Sequence, residues 1–239
     1  MDNKPLKRIL VLNVKQFNER RQFMQQQLAV QNLQASFVFD WDIDDLTDEI
    51  LSRYFVEDNS LSPGQQSCAL KHIVALQQAA AADGMVLVLE DDAVFAADFK
   101  LGLERALAQR QQFPGPAVVY IGSGGNFFTP KSQRKPGQFL YPGSRGRFTD
   151  SFLIDSATAQ LRLNWIETHK MTKGIDNQFD EMDRQLNIQI LWLEPPVVEQ
   201  GSKNGLFNSA LEAAPPSWLK AILFRWEKLR RKYIYQLWR

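Results

Sequence analysis

Three consecutive acidic residues carry the strongest chemical signal in this sequence of 239 residues. Glu90, Asp91 and Asp92 follow the apolar run 85–89, which is too short for a helix and suits a strand covered on both faces. Because side chains alternate along a strand, we expect Glu90 and Asp92 to converge on one spot and Asp91 to face away. Carboxylates held close together repel one another, and a hard cation such as Mg²⁺ or Mn²⁺ relieves that repulsion. The run therefore predicts a divalent-metal site.

The residues after the acidic run, 95–107, have the pattern of a helix. The three acids would then lie at the carboxyl end of a strand, which is where open α/β sheets bind ligands. A solvated acidic turn, stabilised by the dipole of the helix that it opens, is the alternative.

A polar corner follows the first predicted strand, 8–13. Lys15, Arg20 and Arg21 lie at this corner and in the first turns of the next helix. These cations could contact a phosphate or a base, and a solvated helix start is the alternative.

The rest of the chain alternates predicted strands with predicted helices. Buried strands are expected at 8–13, 36–40, 85–89, 117–121, 149–154 and 188–193, and helices at 18–33, 65–82, 156–168 and from about 175 onwards. This alternation over 239 residues predicts one large α/β domain or two small ones.

The segment 123–148 differs from its surroundings in composition. It carries five Lys or Arg residues and no acid, and six of the 13 glycines of the chain lie between Gly122 and Gly146. A long connection of this kind is typical of a lid or a binding loop, here one suited to an anionic, metal-bound ligand, or of a flexible surface loop.

Charge is divided unevenly along the chain. The net charge is +1, but 215–239 holds seven Lys or Arg and one Glu, so the acidic body carries a basic tail. The single cysteine, Cys68, cannot form an internal disulfide, and with no recognisable secretory signal we expect a cytosolic protein. We expect no nucleic-acid partner.

The basic tail has the pattern of an amphipathic helix. Trp218, Ile222 and Trp226 fall on one stripe. The cations lie on the other side, except Arg230, and they include Lys220, Arg225, Lys228, Arg231 and Lys232. A basic helix rich in Trp is typical of an anionic membrane interface. Packing on the protein's own domain or on a partner is the alternative.

An ordered series of short motifs resembles one known family. In chain order the motifs are Asn13-x-Lys15 with Arg20-Arg21, Leu61-Ser-x-Gly64, Cys68-Ala-Leu-x-His72-Ile, Leu89-Glu-Asp-Asp92, Ser151-Phe-Leu-Ile-x-Ser-x-x-Ala159, Ile175-Asp176, and Gln200 with Ser209. Together, over roughly residues 8–211, they resemble glycosyltransferase family 25, the bacterial lipopolysaccharide-type galactosyltransferases, whose animal relatives glycosylate collagen.

The resemblance implies a fold and a reaction. The implied fold is GT-A-like, a Rossmann-type mixed sheet flanked by helices, formed by residues 1–212 and followed by the amphipathic tail 213–239. The implied enzyme is an inverting transferase that uses Mn²⁺ or Mg²⁺ to move a hexose, expected to be galactose from UDP-galactose. The expected acceptor is a lipid-linked saccharide, such as a lipopolysaccharide or lipooligosaccharide core, at the inner face of the cytoplasmic membrane. A nucleotidyl or phosphoryl transferase using the same acidic site, and a non-catalytic membrane-bound module, are the alternatives.

The resemblance also assigns roles to residues. Glu90 and Asp92 are the expected metal ligands. The expected donor-binding residues are Asn13, Lys15, Arg21, His72, Glu90, Asp91 and Asp92. Asp176 is the expected catalytic base, with Asp180 and Asp183 as rivals nearby.

Removal of residues 218–239 should release the protein from anionic vesicles, because the deleted segment carries the Trp stripe and the cations. Vesicle co-sedimentation measures the loss, and transfer to a soluble acceptor should persist as the control. Vesicle binding that is unchanged by the deletion would contradict the assignment of the tail.

Overall fold

A mixed sheet forms the centre of the protein. The computed structural model of the protein describes residues 5–204 and the single residue Trp226. The strands are β1 (Leu6–Leu12), β2 (Ser36–Val38), β3 (Met85–Glu90), β4 (Ala93–Phe95), β5 (Ala117–Tyr120), β6 (Leu140–Pro142), β7 (Ser151–Asp155), β8 (Gln189–Leu193) and β9 (Val198–Gln200). The helices are α1 (Asn18–Val30), α2 (Asp48–Tyr54), α3 (Pro63–Ala80), α4 (Phe99–Arg110), α5 (Ser156–His169), α6 (Ile175–Gln185) and α7 (Gly201–Asn204).

Seven of these strands form the main sheet, in the order β2-β1-β3-β7-β5-β8-β6. β1 pairs in parallel with β2 and β3, and β5 pairs in parallel with β8. β7 lies antiparallel between β3 and β5, and β6 is an antiparallel edge strand on β8. The carboxyl ends of β1, β3, β5 and β8 therefore meet at one edge. The predicted fold class, a mixed α/β sheet flanked by helices, is confirmed.

Side-chain alternation in the buried strands produces a core on each face of the sheet. Val86 and Val88 of β3 point to the face that α3, α5 and α6 cover. Leu87 and Leu89 point to the face that α1 and α4 cover. Glu90 comes next in this alternation and follows Val88 to the α3 face. The alternation of side chains along β3 thus places Glu90 next to α3.

Local chemistry determines where α3 begins. The Ser62 hydroxyl accepts a hydrogen bond from the Gln65 N–H at 3.3 Å, and the Gln65 side chain accepts one from the Ser62 N–H at 2.9 Å. Pro63 occupies the first helical position, where a missing N–H costs nothing. This reciprocal cap sets the helical register that places Cys68 and His72 on the side facing β3.

The acidic run leads into a short strand rather than directly into a helix, which corrects the expected helix at 95–107. β4 pairs antiparallel with β9, with Ala93 opposite Gln200, and α4 begins only at Phe99. The partner strand lies about a hundred residues further along the chain, so local periodicity gives no sign of this pairing. The pairing places Gln200 in the same cavity wall as the acidic residues.

The basic segment 123–148 is fixed to the body by buried charges. Arg147 is fully buried, its guanidinium lies 4.6 Å from the Trp192 ring, and it donates to the Leu193 carbonyl at 2.9 Å. Arg147 and Arg134 both pair with Glu194. The segment also contains β6, so this part of the chain is more ordered than its composition indicated.

The predicted membrane tail lies outside the described residues, except for Trp226, which is 59% exposed. Among the described residues, no helix has both the length and the apolar character that a bilayer-spanning segment needs.

A buried ion pair joins α5 to α6. The Arg162 guanidinium donates to both carboxylate oxygens of Asp183, at 2.9 and 2.7 Å, and both side chains are fully buried. Asp183→Ala should lower the free energy of unfolding by about 3–5 kcal/mol, because the buried cation loses its partner. Urea denaturation followed by circular dichroism measures the change.

Glu181→Ala on the same helix is the matched control. It removes an exposed ion pair with Lys173, 2.9 Å long, and should cost about 0–1 kcal/mol. Similar losses of unfolding free energy in the two variants would contradict a larger contribution of the buried ion pair to stability.

Candidate active site

A cavity of about 380 Å³ opens at the carboxyl ends of β1 and β3. Its wall includes all three residues of the acidic run. The other lining residues that concern the chemistry are Asn13, Phe17, Arg20, Asp42, Cys68, Lys71, Gln200 and Ser202. The expectation that Asp91 faces away is therefore wrong. β3 ends at Glu90, and Asp91 and Asp92 form a turn in which strict alternation no longer applies.

Asp91 is held by two donors from the β1–α1 corner. The Asn13 side-chain amide donates to Asp91 Oδ2 at 2.8 Å, and the Arg20 guanidinium donates to Oδ1 at 2.8 Å. The register explains the contact, because Leu12 of β1 lies opposite Glu90 of β3 and the next residues are then adjacent. Burial raises the pKa of the Asp91 carboxyl, and the charge of Arg20 opposes that rise.

Glu90 lies between a histidine and a threonine. Its Oε1 atom is 3.2 Å from His72 Nε2 and accepts a 2.8 Å hydrogen bond from the Thr149 hydroxyl. Burial is the main cause that raises the pKa of Glu90 to about 8, and the negative charge of Asp92 is the second. His72 is fully buried beside the rings of Phe152 and Phe179, and burial lowers its pKa to about 3. The imidazole is therefore neutral at physiological pH.

Thr149 also connects Glu90 to the predicted base. Its Oγ1 atom lies 2.8 Å from Asp176 Oδ1 as well as 2.8 Å from Glu90 Oε1. A hydroxyl has one proton to donate, so two ionised carboxylates cannot both receive it. Burial, followed by the charge of Glu90, raises the pKa of Asp176, which favours sharing of a proton within this group.

Asp92 has one satisfied and one unsatisfied carboxylate oxygen. Oδ2 accepts from the Ser202 N–H at 3.2 Å, and the Asp92 carbonyl accepts from the Gly201 N–H at 2.7 Å. Oδ1 is buried and has no hydrogen-bond partner among the described residues. The negative charge of Asp92 also disfavours the ionisation of Glu90. A buried carboxylate oxygen without a partner is suited to bind Mg²⁺ or Mn²⁺, which prefer hard oxygen ligands.

Asp150 is a further carboxyl beneath the acidic run. It is fully buried, accepts a 2.7 Å hydrogen bond from the Ser151 hydroxyl, and its backbone carbonyl receives the Glu90 N–H. Burial raises its pKa well above the ordinary aspartate range. Gly122 makes room for it, since a Cβ there would lie 2.4 Å from Asp150 Oδ1. Thr149 and Asp150 were not predicted, because only the antiparallel pairing of β7 with β3 brings them to the acids.

Lys15 and Arg21 are placed differently from the residues around Asp91. The Lys15 ammonium pairs with Asp45 at 2.7 Å, and its backbone N–H donates to Asp42, which lines the cavity. Arg21 lies 5.8 Å from the Phe39 ring, and Arg20 is the arginine of this pair that lines the cavity. Successive residues of α1 point about 100° apart, so only one of two adjacent arginines can face the cavity.

The three aspartates of α6 have different surroundings. Asp176 joins the Thr149 group, Asp180 accepts a 2.6 Å hydrogen bond from the Gly146 N–H and pairs with Arg145, and Asp183 is buried against Arg162. Of the three, Asp176 is the one that is hydrogen-bonded to a partner of Glu90.

The described residues thus combine a mixed sheet with an acidic cleft at the carboxyl ends of β1 and β3. The model of glycosyltransferase family 25, described as an LPS biosynthesis protein, matches residues 6–123. The family expected from the motifs is therefore confirmed over this region of the chain. The match includes the acidic run and supports glycosyl transfer from a sugar donor to an acceptor, whereas Thr149 and Asp176 lie beyond it.

Two solved structures resemble the chain at low sequence identity. The catalytic domain of Drosophila beta1,4galactosyltransferase 7 in complex with xylobiose aligns with a TM-score of 0.43 and 11% identity, covering 90% of this chain and 78% of that chain. Mouse xyloside xylosyltransferase 1 in its apo form aligns with a TM-score of 0.37 and 12% identity, covering 76% of this chain and 71% of that chain. No curated protein sequence matches the chain.

The ring signals of His72 should not titrate between about pH 5 and pH 8, since burial keeps the imidazole neutral in this range. The chain has two histidines, so a spectrum of His169→Gln protein assigns the His72 signals in a ¹H–¹⁵N NMR titration. A midpoint near the ordinary value of about 6.5 would contradict the buried environment described for His72.

Proposed function

We propose that the protein transfers a hexose, galactose from UDP-galactose, to a lipid-linked saccharide with inversion at the anomeric carbon. The observation that carries this proposal is the convergence of Glu90, Asp91 and Asp92 on one cavity, with Asp176 linked to Glu90 through a single threonine hydroxyl. The family match over residues 6–123 supports the glycosyl-transfer part of the proposal.

Glu90 and Asp92 are the proposed ligands of Mn²⁺ or Mg²⁺. The unpartnered Asp92 oxygen and the raised pKa of Glu90 both indicate charge that the described residues leave uncompensated. A bound divalent cation supplies positive charge where the leaving nucleoside diphosphate becomes more negative. His72, neutral and in contact with Glu90, would hold that carboxylate in position.

Asp91 is the proposed contact to hydroxyl groups of the donor ribose or sugar. Asn13 and Arg20 fix its carboxylate, so its orientation does not depend on the donor. Arg20 thus takes the place near the donor that the motif resemblance gave to Arg21. Lys15 is proposed to act from the rim, where it already orders the Asp42–Asp45 turn.

Asp176 is the proposed general base. A base must remove the acceptor proton within hydrogen-bond reach of the attacking hydroxyl, and a raised pKa makes a carboxylate a stronger base. Burial and the proximity of Glu90 raise the pKa of Asp176. The Thr149 hydroxyl connects Asp176 to Glu90, which lines the cavity, so the base function of Asp176 is proposed to depend on that contact.

Residues 1–212 are proposed to form the catalytic domain and residues 213–239 to bind the inner face of the cytoplasmic membrane. The seven cations and the Trp stripe of the tail support this part of the proposal. A lipid-linked acceptor would lie at that membrane surface. A membrane-binding tail is therefore consistent with the proposed acceptor.

A donor screen tests the reaction. UDP-galactose, UDP-glucose and their N-acetyl forms are incubated with the full chain, with and without Mn²⁺, and free UDP is measured. Mn²⁺-dependent hydrolysis or transfer, greatest with UDP-galactose, is the expected result. Consumption of a nucleoside triphosphate in place of a UDP-sugar would overturn the proposal in favour of nucleotidyl or phosphoryl transfer.

Asp92→Asn should abolish Mn²⁺-dependent turnover, because the amide removes the anionic ligand. An amide oxygen can still accept the Ser202 N–H, so the fold should persist. Asp98→Asn is the matched control, since Asp98 is exposed and lies nearby in the chain, on the connection between β4 and α4. Loss of rate is expected to be on the order of 10²-fold or more, as for other charge-stabilising groups. Asp92→Asn protein that is folded and fully active would refute the metal role.

A further inference from the structure

We infer that Cys68, His72 and Glu90 form a second metal site, selective for a thiophilic divalent ion such as Zn²⁺ or Cd²⁺. One ligand atom from each residue, a sulfur, an imidazole nitrogen and a carboxylate oxygen, lies within 4.8 Å of the other two. Zn²⁺ is bound by these three donor types in proteins, often with three protein ligands and one open position.

The backbone holds two of the ligands in register. Cys68 and His72 are four residues apart on α3, so their side chains emerge on the same face of the helix. That face lies against the sheet surface to which the alternation of β3 directs Glu90. A helix and a neighbouring strand end therefore bring the three donors together without a flexible loop between them.

The imidazole is oriented by its packing. The His72 ring centroid lies 6.0 Å from that of Phe152 and 5.8 Å from that of Phe179, and Nε2 points to Glu90 at 3.2 Å. Cys68 and Glu90 line the 380 Å³ cavity, which gives an ion a route from solvent. Binding would displace the thiol proton to solvent, as metal–thiolate formation requires.

The two metal sites differ in the ion that they select but share one ligand. Glu90 with Asp92 offers oxygen alone and suits Mn²⁺ or Mg²⁺, whereas Glu90 with Cys68 and His72 offers soft and borderline donors. A thiophilic ion would draw Glu90 towards α3 and away from Asp92. Such an ion should therefore inhibit sugar transfer, a consequence that rests on the proposed function, whereas the binding itself does not.

Cadmium titration of the full chain tests the site directly. Cys68 is the single cysteine of the chain, so any sulfur-to-cadmium charge-transfer absorption reports this residue. We expect one Cd²⁺ per chain with this absorption, and its loss in Cys68→Ser. His72→Gln and Glu90→Gln should each weaken binding by at least about 10-fold. His169→Gln is the matched control, because it removes the other histidine of the chain and should leave the affinity unchanged.

Two results would overturn the inference. One is the absence of the absorption in the wild-type protein, and the other is wild-type affinity in both His72→Gln and Glu90→Gln, which would mean binding by the thiol alone. Because His72 is fully buried, metal-free melting curves accompany each variant, and Glu90→Gln decides the question if His72→Gln does not fold.

Activity measurements distinguish the thiophilic metal site from the proposed sugar transfer. Cd²⁺ should inhibit UDP-sugar turnover competitively with Mn²⁺, and Cys68→Ser should be less sensitive when measured against its own activity before Cd²⁺ is added. Cadmium binding with the expected pattern in the variants supports the site even if no sugar is transferred, in which case the proposed function alone fails.

Discussion

Burying several carboxylates at one strand end is unfavourable unless each finds a hydrogen bond or an opposite charge, and the surroundings of the acidic run follow from this constraint. Asp91 is compensated by an amide and a guanidinium. Glu90 relies on a hydroxyl and a neutral imidazole, and Asp92 leaves one oxygen without a described partner. Within the acidic run, the uncompensated charge is thus concentrated on the two residues that are proposed to share a cation.

The mixed topology of the sheet explains how so many polar groups reach this point. The parallel pairing of β1 with β3 brings the polar corner after β1 beside Asp91. The antiparallel insertion of β7 brings the beginning of that strand, with Thr149 and Asp150, to the same end. An entirely parallel sheet would present loops there instead. The reversal of one strand therefore supplies the hydroxyl that joins Glu90 to Asp176.

Glu90 belongs to both of the proposed metal sites. It contacts His72 of α3 and Thr149, which lies just before β7, and the negative charge of Asp92 opposes its ionisation. A side chain with several competing partners can be drawn to different ligands by different ions. Oxygen ligands on one side and a thiol with an imidazole on the other give this carboxylate two possible metal environments. Selection between them would depend on the softness of the ion rather than on any change in the fold.

The sequence by itself determined the features that depend on local pattern. Periodicity located the acidic strand and the helix that carries Cys68 and His72, and the order of motifs identified the family over the matched region. Only the tertiary structure decided the positions of Thr149, Asp150 and Arg20, the pairing of β4 with β9, and the turn that brings Asp91 into the cavity. The reason is physical: strand pairing joins residues far apart in the chain through backbone hydrogen bonds, which leave little trace in local composition. Helical phase likewise distinguishes Arg20 from Arg21 only once the helix has been docked against the sheet.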